Sequence, residues 1–164
     1  MTGTDAHLAR RAMFGQEELP GLAAVLNGQG PGAWHDTALE IDLPAAGDYR
    51  LGGTVLGHLD RLSDGSVLVA SLEARLFDVS AGAEVPLSHR LVISYGPAQG
   101  ITTTGGVWHH RATTPLDVLY TVASARTIRL QGRYQGPVAE SGTTAAFMSA
   151  GGFRGRTLLN YSRL

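Results

Sequence analysis

The chain has 164 residues, a formal net charge of −1 and no cysteine. A domain of this length can bury a sizeable core without metals or disulfides, and the lack of cysteine excludes disulfide frameworks, thiol catalysis and cysteine-ligated zinc. A nearly neutral charge gives no general attraction to nucleic acid or to an anionic membrane, so we expect neither as a partner.

The N-terminal stretch lacks the uninterrupted apolar segment of a secretory signal. No later stretch approaches the ~20 apolar residues that span a membrane. We therefore expect a soluble protein that is made in the cytoplasm.

Helix signals occur only in residues 1–33. Thr4 can cap a short helix from Asp5 to Met13, and Pro20 can begin a second one that ends at Asn27. Neither helix is long enough to be stable alone, so we interpret residues 1–33 as an arm that needs a surface to lie on, either its own domain or a partner. Its apolar side chains are Leu8, Met13, Phe14, Leu19, Leu22, Val25 and Leu26.

The hydrophobic pattern changes after residue 33. Large apolar residues alternate with polar or small ones over 37–43, 49–59 and 127–134, which predicts three half-buried strands. The stretch 66–77 is apolar on both faces through Ala70, which predicts a central strand covered on both sides. Further strands are predicted at 90–95, 107–113, 116–122 and 156–164.

About eight strands and no long helix predict an all-β domain over residues 34–164. We favour an antiparallel jelly-roll sandwich, with an immunoglobulin-like sandwich as the alternative, because strand number does not fix connectivity. Glycines 53, 57 and 132 interrupt strands, which predicts bulges or close approach of neighbouring backbones.

A long loop is predicted between Val138 and Gly152. Phe147 and Met148 lie in it among small and polar residues. Apolar side chains at a loop tip indicate contact with a partner, either a neighbouring subunit or a receptor.

The histidines offer little metal chemistry in this pattern. His109 and His110 are adjacent, so on a strand they point to opposite faces and cannot chelate one metal together. A surface or interface role fits the two histidines better, and Trp108 beside them is better interpreted as a core or interface anchor than as a platform for a sugar. His58, His89, Asp60 and Asp64 could form a site only if the fold brings them together. We predict no metal site and no cofactor.

No nucleophile elbow, phosphate-binding loop or zinc-protease motif occurs in the sequence. We therefore predict that the protein is not an enzyme. Arg129 and Arg133 share one face of a predicted strand and could bind an acidic partner or a glycan, although a solvated face is the more common role for such a row.

Four stretches together resemble the C1q/TNF-like jelly-roll domains in virion proteins of phages that infect actinobacteria. They are LPAAGDYRLGGTV, ARLFDVSAGAEVPLSHRLV, TIRLQGRY and GRTLLNYSRL. The first contains the Pro, Ala, Gly and aromatic sequence that precedes the second strand in those domains. The resemblance covers residues 37–164 and leaves the arm outside.

The resemblance implies a homotrimer around a threefold axis, without catalytic residues, used as a head decoration or a tail-fibre tip. The short arm favours a decoration protein, which the arm would fix to the major capsid protein or another virion protein, or to the base of its own trimer. We expect it on the virion surface after synthesis in the host cytoplasm. The alternative is a tail-fibre tip that recognises a host surface carbohydrate.

Overall fold

The computed structural model describes residues 13–21, 23–26, 32–62, 69–95, 107–136, 143–149, 151–152 and 155–164. All thirteen elements within these ranges are β-strands. They are β1 (Phe14–Glu18), β2 (Ala23–Val25), β3 (His35–Leu43), β4 (Gly47–Leu62), β5 (Ala70–Asp78), β6 (Ala83–Glu84), β7 (Arg90–Tyr95), β8 (Val107–Val122), β9 (Arg126–Gln135), β10 (Thr143–Ser149), β11 (Gly151–Gly152), β12 (Gly155–Arg156) and β13 (Leu158–Arg163).

Two antiparallel sheets form the body of the protein. Sheet A contains β8, β4, β13 and β1 in that order, and β10 and β2 continue it beside the second half of β4. Sheet B contains β3, β9 and β5, with β6 and β7 both paired to β5. A small hairpin of β11 and β12 stands apart from both sheets in the pairing.

Four antiparallel pairs join early strands to late ones. They are β1–β13, β3–β9, β4–β8 and β5–β7, and each pair lies inside the preceding one along the chain. Successive pairs alternate between sheet A and sheet B. The strands are thus arranged like one long hairpin folded over on itself.

The core lies between the two sheets and follows the predicted alternation. The inward positions of β3, β4 and β9 include Ile41, Leu51, Leu59, Ile128 and Leu130, and each is at most 3% exposed. The predicted strands at 37–43, 49–59 and 127–134 are therefore confirmed. Because one face of each strand is apolar, the two sheets bury these faces against each other.

The strand glycines provide the predicted close approach. A Cβ at Gly57 would lie 2.6 Å from Val92 Cγ1. A Cβ at Gly132 would lie 2.7 Å from Leu26 Cδ1 and 2.8 Å from Met148 Cε. The absence of a side chain at these two positions lets the opposite layer come near.

The predicted helix over 20–27 is wrong, because Ala23–Val25 is a strand that pairs with β10. The helix predicted over residues 5–13 lies outside the described residues except for Met13. Short helices are marginal on their own, whereas a short strand gains hydrogen bonds from a neighbour already in place. Within the described residues, the segment predicted as an arm contributes two strands to sheet A.

Three other features differ from the predictions in part. The strands predicted at 107–113 and 116–122 form one strand, β8, that runs through Pro115 on an edge of sheet A, where proline is tolerated. The loop predicted over 138–152 contains β10. β5 is central as predicted, since it pairs with β9 on one side and with β6 and β7 on the other, but its residues alternate between buried and half-buried from Ala70 to Asp78, so only one face is fully covered.

Candidate functional site

The predicted anchoring residues divide into a buried and an exposed group. Leu19 and Leu26 are 4% and 1% exposed and belong to the core, so these two side chains pack on the chain's own domain rather than on a partner. Met13, Phe14 and Val25 are more than half exposed. Leu8 and Leu22 lie outside the described residues. The exposed group alone remains available to a partner among the described residues.

Met148 is fully buried, so the predicted partner contact at this residue is wrong. Its strand, β10, pairs with β4 and turns the Met148 side chain towards Gly132 in sheet B. The side chain of Phe147 lies outside the described residues. The sequence does not predict β10 as a strand, because some of its core-facing positions are small residues such as Ala146.

His109 and His110 lie in β8 opposite Asp60 and Leu59 of β4. His109 is exposed, and its Nδ1 lies 2.9 Å from Asp60 Oδ1. His110 is half-buried. Trp108 belongs to the same strand, but its side chain lies outside the described residues. No cluster of three or more metal-ligating side chains is found in the part of the chain that the structure describes.

His58 is a buried histidine beside His109 and His110. Burial lowers the pKa of His58 below its ordinary value, and the positive charge of Arg111 and the nearby His109 lower it further. Asp60 acts in the opposite direction but does not reverse the shift. His58 is therefore held neutral in the folded protein over a wider pH range than in the unfolded chain.

This shift predicts that acid destabilises the fold. With the folded pKa below the unfolded one, the unfolded chain binds more protons as the pH falls through about 6.5, and stability decreases until the folded pKa is passed. Urea denaturation at pH 7.5 and pH 5.5 should show the decrease. We expect a smaller decrease in a His58→Gln variant, and an equal decrease in both proteins would contradict the assignment.

The outer face of sheet B carries a network of ion pairs. Arg129 of β9 binds Asp36 and Glu40 of β3, and Arg133 of the same strand binds Glu73 of β5. Arg75 of β5 extends the network to Glu84 at 3.0 Å. The arginine row predicted as a possible site for an acidic partner is thus neutralised by the protein's own carboxylates.

Trp34 lies above this network, in the segment that precedes β3. The guanidinium carbons of Arg75 and Arg133 are 4.3 and 4.5 Å from its ring centroid. The ring of His89 meets it edge-on at 5.2 Å, and His89 Nε2 is 2.6 Å from Glu73 Oε2. We call Trp34, Arg75, Arg133, His89 and Glu73 the Trp34 patch. Sequence reasoning missed it because its members come from four separate segments.

On one flank, β1 of sheet A and β3 of sheet B form the edges of the two sheets. A groove of about 690 Å³ lies there, lined by Phe14, Glu17, Glu40, Ile41, Asp42 and Tyr161. A Cβ at Gly15 would lie 2.3 Å from Tyr161 Cε1, so only glycine lets β1 lie this close to the ring. We call this the open-flank groove; Glu17, Glu40 and Asp42 supply carboxylates to its lining, and Ile41 and Tyr161 are its buried members.

The sheets meet on the opposite flank, where β7 of sheet B lies beside β8 of sheet A. Thr114 Oγ1 donates a hydrogen bond to the Val92 carbonyl across this boundary at 3.1 Å. We call it the β7–β8 seam. Leu87, Leu91 and Leu119 lie along it with exposed fractions of 85%, 57% and 72%.

Comparison with known proteins gives a likeness at low similarity. No family model matches the chain, and no curated protein matches it. The VP2 protein of infectious bursal disease virus, a D431N mutant in derived T=1 particles, is 14% identical over 92% of this chain and 31% of its own, with a TM-score of 0.44. A structure of the Gt strain of that virus is 14% identical over 92% and 37%, with a TM-score of 0.41.

The chain spans about a third of the length of these two viral proteins. A likeness at these TM-scores does not bear on function. Among the described residues, no helix has the length and apolar character needed to cross a membrane.

Proposed function

We propose that this protein is a non-enzymatic structural subunit of a virus particle, built as a jelly roll and assembled as a homotrimer. The observation that carries the proposal is the set of four nested strand pairs, β1–β13, β3–β9, β4–β8 and β5–β7, which alternate between two facing sheets. A two-sheet arrangement of eight antiparallel strands is the architecture of viral jelly rolls. It also agrees with the C1q/TNF-like resemblance of residues 37–164.

Within the particle, the role that fits best is decoration of the capsid exterior. Residues 1–12 and the exposed side chains of Met13 and Val25 would contact the major capsid protein beneath. The outer face of sheet B would face solvent, because arginines and carboxylates on it are paired within the chain. The protein would be synthesised in the host cytoplasm and end on the virion surface.

The Trp34 patch supports a second candidate, a tail-fibre tip that recognises a host carbohydrate. The face of an indole ring can stack on the C–H face of a sugar, while charged groups around it donate and accept hydrogen bonds from hydroxyls. Trp34 has Arg75, Arg133, His89 and Glu73 around it in this way. Arg75 and Arg133 already lie over the indole ring, and Arg133 and His89 already bind Glu73, which favours decoration over sugar binding.

The position on the particle and the oligomeric state test the proposal together. Light scattering of the purified chain should give about three times 17.2 kDa, since a self-complementary surface usually closes into a symmetric oligomer. Gold-labelled antibody should mark the heads of purified particles of the virus that encodes the chain. Label at the tail tip would support the second candidate, and absence of the protein from washed particles would overturn both.

A further inference from the structure

The middle of β4 is buried on both faces. The first part of this strand alternates between buried and more exposed residues, but residues 55–59 are all buried. Leu56, which is 3% exposed, lies opposite the exposed Thr113 of β8. His58, which is 8% exposed, lies opposite the exposed Arg111. Directly opposed residues of paired strands share a face of the sheet, so Leu56 and His58 lie on a covered part of the outer face of sheet A.

Among the described residues, β12 is the element that lies over this part of the face. β10 and β13 lie end to end along the edge of β4 that does not pair with β8, and the β11–β12 hairpin is inserted between them. Thr54 Oγ1 donates a hydrogen bond to the Arg156 carbonyl at 2.7 Å. A Cβ at Gly155 would lie 3.5 Å from Thr113 Oγ1. The hairpin therefore reaches from β4 towards β8 across the outer face, next to Leu56.

The described part of this hairpin is weakly held. Each of its strands has two residues, and three of the four are glycines, which bring no side chain to pack. Arg156 is the charged member, and its Nη1 lies 2.8 Å from Glu18 Oε1. The two side chains are 63% and 44% exposed, and such an exposed pair contributes little stability. The hairpin can therefore open at a lower free energy than the sheet beneath it.

The charges around His58 compensate a proton on it poorly. Arg111 lies opposite His58 in β8, and Asp60 lies two residues along β4 on the same face. Asp60 Oδ1 is already 2.9 Å from His109 Nδ1. The residues of β10 and β2 in line with His58 are uncharged. A protonated His58 would thus share one carboxylate with two other cationic groups, and burial and then Arg111 lower its pKa.

We propose that acid releases the β11–β12 hairpin from the outer face of sheet A by protonating His58. A buried imidazolium needs water, and the hairpin is the neighbour that can move without breaking sheet A. Below the ordinary histidine pKa of about 6.5, the open form binds the proton more tightly than the closed form and gains population. Opening exposes Leu56 on the same face as Val25, which is already 57% exposed. The inference does not depend on the oligomeric state or on the position in a particle.

Hydrogen exchange of the full chain at pH 7.5 and pH 5.5, corrected for the intrinsic effect of pH, tests the release. The Leu56 amide is a direct reporter, because it donates to Thr157 Oγ1 at 3.0 Å beside the hairpin. We expect protection of peptides that contain Leu56 or Gly155 to Thr157 to fall at pH 5.5 by a factor of about two to ten, the range that one histidine can supply. Peptides of β9 in sheet B should keep their protection.

Three variants assign the effect. His58→Gln, which cannot be protonated, should abolish the loss of protection. Arg111→Gln changes an exposed residue and should reduce the loss, because a proton on His58 is then better tolerated in the closed form. His89→Gln is the matched control, since His89 is an exposed histidine of the other sheet, and the loss should be unchanged.

The outcomes separate local release from general unfolding. Equal protection of the hairpin at the two pH values overturns the inference, and so does an undiminished loss in His58→Gln. A loss that extends equally to β9 also overturns it, because the whole domain would then be opening. Should His58→Gln fail to fold, Arg111→Gln decides, and an unreduced loss in that variant contradicts the assignment to His58.

Discussion

Replacement of Leu26 by alanine should lower the free energy of unfolding by about 2–5 kcal/mol. Leu26 is 1% exposed. A Cβ at Gly132 would lie only 2.7 Å from Leu26 Cδ1, so the Leu26 side chain fills the space between the end of β2 and β9. Truncation would leave a cavity between the two sheets that a glycine cannot fill. Urea denaturation of the purified variant measures the loss.

Val25→Ala is the matched control for this prediction. Val25 precedes Leu26 in the chain but is 57% exposed, so the change should alter stability by no more than about 0.5 kcal/mol. The Leu26 amide donates to the Ala146 carbonyl at 2.8 Å and should keep this bond in both variants. A loss below about 1 kcal/mol for Leu26→Ala would mean that this segment separates from the core in solution, as an arm would.

The long strands of this fold can be predicted from the sequence. The strands β3, β4 and β9 were predicted because each has nine or more residues and alternates large apolar side chains with polar or small ones. Over that length a period of two is distinct from a helical period. These strands also carry most of the core, so the class of the fold followed from them.

The short strands could not be predicted in the same way. β1 has five residues, of which only Phe14 is large and apolar, and β2 has three. What makes them strands is a partner far along the chain: β1 pairs with β13, and β2 pairs with β10. No local pattern encodes such a pairing, so the helix signals of Pro20 and Asn27 predict the wrong structure for this segment.

The surface clusters were hidden for a related reason. Arg129 and Arg133 were correctly placed on one face of a strand, but the carboxylates that neutralise them come from β3 and β5. Trp34 showed no pattern of its own because it precedes β3. A row of like charges therefore indicates a binding surface only after the neighbouring strands are known.

Gly53 is the position where adding a single methyl group should lower the stability of the fold most. A Cβ there would lie 2.3 Å from the Leu158 carbonyl oxygen and 3.2 Å from Leu159 Cδ2. Because the nearer atom belongs to the backbone of β13, which is held in register against β4, it cannot move without breaking the sheet. We expect Gly53→Ala to cost the upper end of the roughly 1–3 kcal/mol that overpacking costs, measured by thermal and urea denaturation.

Gly52→Ala provides the comparison, since it adds the same methyl group one residue earlier in the same strand. Its Cβ would meet Asn160 Oδ1 at 2.6 Å, which is the end of a side chain that can rotate away. The change should therefore cost less than about 1 kcal/mol, in part offset by the lower entropy of the unfolded chain. Equal losses at the two positions would show that β13 shifts to accommodate Gly53→Ala, and that its register against β4 is not fixed by the close approach of the two backbones.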